Sequence, residues 1–212
     1  MKVHLNNIDI HYTVDGDKGP WVTLSHSLGC NLTSWDAQAA LLSKHYRVLR
    51  YDSRGHGQTS APTGAYTLDE MAEDVHQLLT HLGITQTHWI GISMGGMIGQ
   101  TYALAHPGVF QSMLLADSTS RRPPQAAAMW GERIRTARAE GMQGVLESTL
   151  TRWFTEGYRA RAPAAREAPA GADAERIGHE PAQVVGLHRG LSTGTCPRSG
   201  SGSNVGRALA PA

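Results

Sequence analysis

The sequence predicts an α/β fold built on a doubly wound, mostly parallel sheet. Two observations favour it. Strand-like and helix-like segments alternate along residues 1–120 with short links, which is typical of parallel strands connected through helices. A serine between glycines, in Gly91-Ile92-Ser93-Met94-Gly95, also lies directly between an apolar strand-like run and a helical pattern. We therefore expect residues 1–120 to form the core domain.

The amino-terminal part of the chain predicts a hairpin and then two buried strands. In "VHLNNIDIHYTV", alternating apolar and polar residues flank Asn6-Asn7, and this pair is a turn signal. "WVTLSH" and "YRVLRYD" are apolar enough to be buried strands, and a helical stretch at about 34–44 separates them. These elements begin the predicted sheet.

The middle of the chain carries clear helix signals. "TLDEMAEDVHQLLTHLG" begins with a capping box, Thr67 to Glu70, keeps apolar residues at helical spacing and stops at Gly83. The next segments predict a strand in "HWIGI", a helix from Met94 to His106 and a strand in "VFQSMLLAD". This order completes the alternation that the parallel sheet requires.

Composition limits the classes of partner. The chain has 212 residues, 40% hydrophobic, 17% charged, with a net charge of +1, so we expect one soluble domain and neither a nucleic-acid nor a membrane partner. The amino terminus has no signal-peptide pattern, and Cys30 and Cys196 are too few for a disulfide framework, which favours the cytoplasm. No spacing resembles a zinc site or a phosphate loop, so no metal or cofactor is expected.

The motif around Ser93 predicts a nucleophile. A sharp strand-to-helix turn would place this hydroxyl above the sheet, and the flanking glycines relieve the crowding. The backbone N–H groups of Met94 and of Leu28, in "LSHSLG", would then hold the oxyanion of an acyl-transfer reaction. The alternative is that Ser93 is only the N-cap of a helix in a tight turn.

At these motifs the chain resembles the α/β-hydrolases, and within them the 3-oxoadipate enol-lactonases. The similar stretches are "SLGCNLTSWD", "YDSRGHGQTSAPTGAYTLDEMAEDVHQLL", "GISMGGMIGQ", "MWGERIRTARAEGM" and "TRWFTEGY", and the likeness covers about residues 1–158. The resemblance implies cofactor-free hydrolysis of a small carboxylated enol-lactone in aromatic-acid (protocatechuate or catechol) breakdown. It also implies that residues 121–158 form part of a helical cap.

The cap stretch offers cationic and aromatic side chains for the substrate. We expect contacts from Trp130, Arg133, Arg135, Arg152 and Trp153, because a guanidinium can bind a carboxylate through two hydrogen bonds. The alternative, equally weighted, is that these arginines form the solvated face of an amphipathic helix.

A general base is missing from the recognisable part of the sequence. The resemblance implies a triad of serine, acid and late histidine, but the chain offers only His179, His188 and the acid Asp117, all weak candidates. Asp117 ends the strand after the serine helix, although a turn-forming role is favoured. His26 and His56 lie in the motif loops, where a structural role is expected.

Residues 159–212 differ in character from the rest. They contain no Phe, Trp or Tyr and are rich in Ala, Gly, Pro and Arg, which predicts an irregular tail and a sheet without its last strands. The tail is either that of a divergent relative or the product of a reading-frame slip near residue 160, which we favour. Two rival functions follow: another cofactor-free esterase, or an inactive remnant. An uncovered sheet edge also predicts low solubility or self-association.

Overall fold

The computed structural model describes residues 1–121, 124 and 126–161 of the chain. In chain order its elements are β1 (Lys2–Leu5), β2 (Ile8–Asp15), β3 (Trp21–Ser25), a 3₁₀ helix (Leu32–Trp35), α1 (Asp36–Leu42), β4 (Arg47–Tyr51), α2 (Leu68–His81), β5 (Thr87–Ile92), α3 (Met94–Ala105), β6 (Phe110–Ala116), α4 (Ala126–Trp153) and α5 (Glu156–Arg161).

The strands form one sheet in the order β1-β2-β4-β3-β5-β6. Strands β4, β3, β5 and β6 run parallel, whereas β1 and β2 pair antiparallel at one side. The predicted class, an α/β fold with a mostly parallel sheet, is confirmed. Because the carboxyl ends of parallel strands meet at one edge, the loops after β3, β5 and β6 gather there.

Two local predictions are confirmed in detail. Asn6 and Asn7 have φ of 49° and 61°, and Leu5 pairs with Ile8 across them, as in a hairpin whose two central residues need positive φ. The Thr67 side chain accepts from the Glu70 N–H while the Glu70 carboxylate accepts from the Thr67 N–H, so the capping box begins α2.

One prediction needs correction. The stretch at 34–44 is not one helix: a 3₁₀ turn covers Leu32–Trp35 and α1 covers only Asp36–Leu42. Asn31 begins the turn, since its side-chain oxygen accepts from the Thr33 N–H at 2.8 Å. Asn31 thus satisfies an N-terminal N–H of the 3₁₀ helix, and the regular helix starts two residues later than the pattern suggested.

The sheet is covered on both faces. The larger apolar cluster combines one face of the sheet with α2 and α3, and the smaller one lies against α1. In the central strand β3, Val22 and Leu24 are buried in the smaller cluster, while Trp89 of β5 is buried in the larger one. Both β3 and β5 are therefore packed between helices, and they lead into the loop with Leu28 and into the Ser93 motif, respectively.

A single carboxylate joins three distant segments. Asp74 of α2 accepts two hydrogen bonds from the buried Arg54 guanidinium, each of 2.7 Å. It also accepts one from Asn6 at 2.7 Å. Such a bidentate pair is oriented as well as charge-assisted. The hairpin turn, the loop after β4 and helix α2 are thereby tied together.

Among the described residues, β6 forms the edge of the sheet beyond β5. Leu114 is 53% exposed and Leu115 is 41% exposed. Because neighbouring residues of a strand point to opposite faces, both faces of the sheet are open to solvent at this edge.

The last described helices follow β6. Helix α4 breaks at Gly141, where φ is 69°, and short α5 ends the described part of the chain. No helix in residues 1–121, 124 and 126–161 combines the length and apolarity needed to cross a membrane.

Candidate active site

Ser93 lies at a strained junction between β5 and α3. Its φ is 50° and its ψ is −112°, a conformation that a non-glycine residue rarely adopts. A Cβ at Gly91 would lie 2.4 Å from the Gly95 carbonyl oxygen, and one at Gly95 would lie 2.2 Å from the Ser25 carbonyl oxygen. Both flanking glycines are therefore required by close backbone contacts, as the sequence pattern indicated.

The loop after β6 holds this junction in place. The Ser93 N–H donates to the Ala116 carbonyl at 2.9 Å, and the Ser118 hydroxyl donates to the Ser93 carbonyl at 3.0 Å. Within the described residues the Ser93 side chain makes no capping bond to α3. Ser93 thus occupies the N-cap position of α3 without the side-chain hydrogen bond of a cap, and it lines the cavity described below.

A turn after β3 presents the second predicted donor. The Cys30 N–H donates to the Ser27 carbonyl at 3.1 Å, and Gly29 has a φ of 74°, the positive value that the third residue of a type II turn needs. Leu28 occupies the second position, so its N–H is outside the turn's own hydrogen bond. Met94 is the first residue of α3, and the first N–H groups of a helix have no partner within it.

A cavity of about 600 Å³ lies between the sheet edge and the cap helix. It brings together most of the predicted site. Its lining includes Ser93, Leu28, Asp117, Trp130, Arg133, Arg152 and Trp153, together with Ser27, Cys30, Ser34, Trp35, Gln38, Ile92 and Phe154. Residues widely separated in sequence thus share one space large enough for a small organic acid.

Arg135 does not share that space. It is exposed and is not among the described residues that line the cavity. Two residues along a helix rotate a side chain by more than half a turn, so Arg135 lies away from the face that carries Arg133. The expectation that Arg135 contacts substrate is not supported.

The Arg133 guanidinium is held in place at the cavity wall. It donates to the Thr149 hydroxyl at 2.8 Å, which joins the two halves of α4 across Gly141, and it lies 5.3 Å from the Trp130 ring centroid. Burial, and secondarily the charge of Arg152, lower the pKa of Arg133 to about 10. Among the described residues, neither arginine forms an ion pair with a carboxylate.

The candidate acid lies close to the serine junction. Asp117 directly follows β6, has a φ of 44° and lines the cavity. No histidine in the described part of the chain lines it, and His179 and His188 lie outside the described residues. Among the described residues, the cavity lining therefore contains Ser93, Leu28 and Asp117 of the predicted catalytic set, without Met94 and without a histidine.

The two motif-loop histidines are buried away from the cavity, in line with the structural role expected of them. The His26 Nδ1 lies 2.8 Å from the Ser27 carbonyl, and the Ser53 N–H donates to His26 Nε2 at 3.0 Å. Burial lowers the pKa of His26, opposed by its bond to Ser27. Burial, reinforced by His26, lowers the pKa of His56 to about 3.

Some contributors were missed by the sequence analysis. Ser118 supports the serine junction, and Phe154 and Trp35 line the cavity. Only the position of Ser118 directly after Asp117 could have drawn attention to it. The aromatic residues have no local pattern that separates a cavity wall from a core position.

Comparison with known proteins gives a consistent picture. The sequence model of a family described as the alpha/beta hydrolase fold matches residues 20–188, a range that continues past residue 158. The chain is 38% identical over 153 residues to 3-oxoadipate enol-lactonase 2 of Acinetobacter baylyi, which covers 72% of this chain and 57% of that relative. The chain spans little more than half the length of the curated relatives it matches.

Solved structures agree with the sequence match. The crystal structure of the enol-lactonase from Burkholderia xenovorans LB400 superposes with a TM-score of 0.79 at 35% identity, covering 88% of this chain and 73% of that one. A malate-bound thermophilic esterase from Thermogutta terrifontis has a TM-score of 0.77 at 25% identity, covering 91% and 71%.

Proposed function

The chain belongs to the α/β-hydrolase fold family, and on that premise we propose that it is a serine hydrolase of a small carboxylated enol-lactone or ester. The observation that carries the proposal is the cavity that joins Ser93 and the Leu28 turn to two arginines without carboxylate partners among the described residues. The enol-lactonase relatives support a lactone, and the breakdown of aromatic acids is the proposed context.

In the proposed reaction the Ser93 oxygen attacks the carbonyl carbon of the lactone. The carbonyl oxygen becomes negative and is stabilised by the N–H groups of Leu28 and Met94. Collapse breaks the ring C–O bond, leaving an acyl group on Ser93 and an enol that tautomerises to a ketone. Water then releases the acid. The Ser93 proton requires a base, for which His179 and His188 are the candidates, and Asp117 is the candidate acid.

The charges at the cavity wall favour an anionic substrate. Arg133 is partly desolvated, and the positive charge of Arg152 adds to the cost of keeping Arg133 charged. A substrate carboxylate between the two guanidinium groups would offset the effect of Arg152 on Arg133 and would form charge-assisted hydrogen bonds. Trp130 and Trp153 would enclose its apolar part. The malate-bound esterase supports a carboxylate-bearing ligand in this family.

The two rival functions predict different experimental results. An esterase for neutral esters would leave the two guanidinium groups without a counter-ion in the cavity, which carries a free-energy cost. An inactive remnant would bind an acid without turning it over. Acylation of Ser93 would exclude the inactive remnant. A preference for an acid substrate over its methyl ester would exclude an esterase for neutral esters.

The nucleophile is tested by burst acylation with p-nitrophenyl acetate. The wild-type chain should release p-nitrophenol in a burst and carry one acetyl group on Ser93 by peptide mass spectrometry, while Ser93→Ala should do neither and keep its melting temperature. An acetyl group on another residue, or none, would remove Ser93 from the mechanism.

Charge recognition is tested by comparing an acid substrate with its methyl ester. Arg133→Gln and Arg152→Gln should raise KM for the acid by about 10- to 100-fold, the loss of one charge-assisted hydrogen bond, with little change for the ester. Arg135→Gln is the matched control, because that side chain lies outside the cavity. Equal effects on acid and ester would refute carboxylate recognition.

A further inference from the structure

Thr149 lies behind the cavity wall, in the second half of α4. Its side chain is buried, and it is not among the described residues that line the cavity. The Thr149 hydroxyl donates to the Val145 carbonyl at 2.7 Å and accepts from the Arg133 guanidinium at 2.8 Å. A hydroxyl has one hydrogen, so the bond to Val145 fixes where its lone pairs point. The Arg133 guanidinium therefore meets an acceptor whose position is set by the helix that carries it.

The bond to Thr149 orients the Arg133 guanidinium without cancelling its charge. An arginine has five N–H donors, and a bond to one hydroxyl does not exhaust them. Among the described residues, Arg133 forms no ion pair with a carboxylate. A carboxylate in place of Thr149 would also hold the guanidinium, but it would compete with a carboxylate ligand for the same donors. A neutral hydroxyl supplies the geometry and leaves the positive charge available.

The same arrangement occurs two residues later with a different outcome. Thr151 donates to the Glu147 carbonyl at 2.9 Å and accepts from Arg159 at 2.7 Å. Arg159 additionally forms an ion pair with the Glu147 carboxylate. Neither Thr151 nor Arg159 is among the described residues that line the cavity. The charge of Arg159 is thus compensated, whereas the described part of the chain offers no carboxylate to the arginine at the cavity.

We infer that Thr149 is a positioning residue that holds the Arg133 guanidinium at the cavity wall for the carboxylate of the substrate. The inference rests on the proposed function, because Arg133 can recognise a substrate only if the hydrolase acts on an acid. Thr149 itself touches no substrate. A purely structural role would be to join the two halves of α4 across Gly141, and its loss would then loosen the cavity for charged and neutral substrates alike.

Four variants separate the two roles. Thr149→Val removes the hydroxyl and keeps nearly the same shape, while Thr149→Ser keeps the hydroxyl. Thr149→Ala also lacks the hydroxyl and favours a helix, so it provides the same test if valine destabilises α4. Thr151→Val is the matched control, because it removes the corresponding hydroxyl from the same helix at a position outside the cavity lining.

The first measurement is acylation of Ser93 by mono-p-nitrophenyl glutarate, which is an acid, and by its methyl ester, followed through the p-nitrophenol burst. Thr149→Val should raise the concentration of the acid that gives half the maximal acylation rate by about 3- to 10-fold, the contribution of one intramolecular hydrogen bond. The maximal rate and the values for the ester should change little. Thr149→Ser and Thr151→Val should behave like wild type. Equal changes for acid and ester, no change for either, or a lower value for the acid would overturn the inference.

The second measurement observes the guanidinium without any reaction. A hydrogen bond slows rotation about the Cζ–Nη bond, so ¹⁵N-arginine-labelled wild type should show separate Nη–H resonances for Arg133, assigned by their loss in Arg133→Gln and shifted by added glutarate. Thr149→Val should lose these separate resonances, and Thr151→Val should keep them. Unchanged Arg133 resonances in Thr149→Val would overturn the inference. If wild type is acylated equally well by the acid and its ester, carboxylate recognition in the proposed function fails, and the Arg133 resonances alone decide whether Thr149 holds this guanidinium.

Discussion

Gly95→Ala should impair the candidate site by moving helix α3 away from the end of strand β3. The added methyl group would lie 2.2 Å from the Ser25 carbonyl oxygen, whereas real Cβ atoms essentially never approach within 3.0 Å. The obstacle is backbone rather than a flexible side chain, so helix α3 and the end of β3 must separate by most of an ångström. Ser93 precedes Gly95 by two residues and Leu28 follows Ser25 by three, so the proposed nucleophile and the proposed oxyanion donor would move relative to each other.

The expected effect has two parts. Overpacking of this kind costs about 1–3 kcal/mol of stability, which for a domain of this size lowers the melting temperature by roughly 2–12 °C. A displacement of about 1 Å at a reacting centre costs about 100-fold in rate. Thermal melts and fluorophosphonate labelling of Ser93, at a temperature where the variant is folded, would measure both.

Gly157→Ala is the matched control. Its new Cβ would meet only the far end of the Arg161 side chain, at 3.5 Å, and alanine favours a helix over glycine by about 1 kcal/mol. We expect this variant to label at the wild-type rate with an unchanged or higher melting temperature. If Gly95→Ala behaves in the same way, the close approach of α3 to β3 does not govern the site.

Three further outcomes follow from the charges and the open edge. The pKa of His56 is lowered to about 3, so as pH falls below about 6.5 this ring binds a proton in the unfolded chain but stays neutral in the folded chain. The free energy of unfolding is therefore unaffected by this histidine above pH 6.5 and decreases as pH falls from 6.5 towards 3. In His56→Gln the slope of the free energy of unfolding against pH between about 4 and 6 should be smaller. Denaturant melts across this range measure it, and an unchanged slope would count against a neutral buried ring. Leu114→Lys with Leu115→Glu should reduce self-association in size-exclusion chromatography, because charges on an exposed strand oppose pairing with another chain; a wild-type chain that elutes as a monomer would remove the premise. Asp74→Ala should cost about 3–5 kcal/mol, because the buried Arg54 guanidinium would lose both hydrogen bonds to this carboxylate and keep only Glu70 at 3.7 Å. Adding Arg54→Met should recover part of that loss, and additive losses in urea melts would contradict the pairing.

The parts of the fold that sequence predicted are those fixed by local chemistry. Thr67 and Glu70 satisfy each other's backbone N–H groups, and two asparagines tolerate positive φ in the hairpin turn. The serine junction belongs to the same class, since Gly91 and Gly95 are required by contacts within a few residues or with an adjacent strand. In such patterns the residues that determine the local backbone geometry are close to each other in sequence, so the pattern can be recognised without the structure.

The cavity wall depends on long-range packing and was harder to predict. Arg133 and Arg135 are the same residue type, two positions apart in the same helix. Only the orientation of α4 about its axis decides which of the two lines the cavity. Phe154 and Trp35 meet there from segments more than a hundred residues apart in sequence. The residues next to them in sequence do not indicate whether an aromatic side chain lines a cavity or lies in the hydrophobic core.

The Asp74 carboxylate also constrains the order in which the protein assembles. Its partners Asn6 and Arg54 both precede it, so during synthesis the hairpin turn and the loop after β4 gain this shared anchor only when α2 arrives. Until α2 has left the ribosome, the Arg54 guanidinium lacks the counter-charges of Asp74 and of Glu70, whose carboxylate lies 3.7 Å from it, and it gains by staying hydrated. The first 80 or so residues should then mature as a single unit rather than strand by strand. Pulse-labelled hydrogen exchange would detect this as simultaneous protection of β2, β4 and α2.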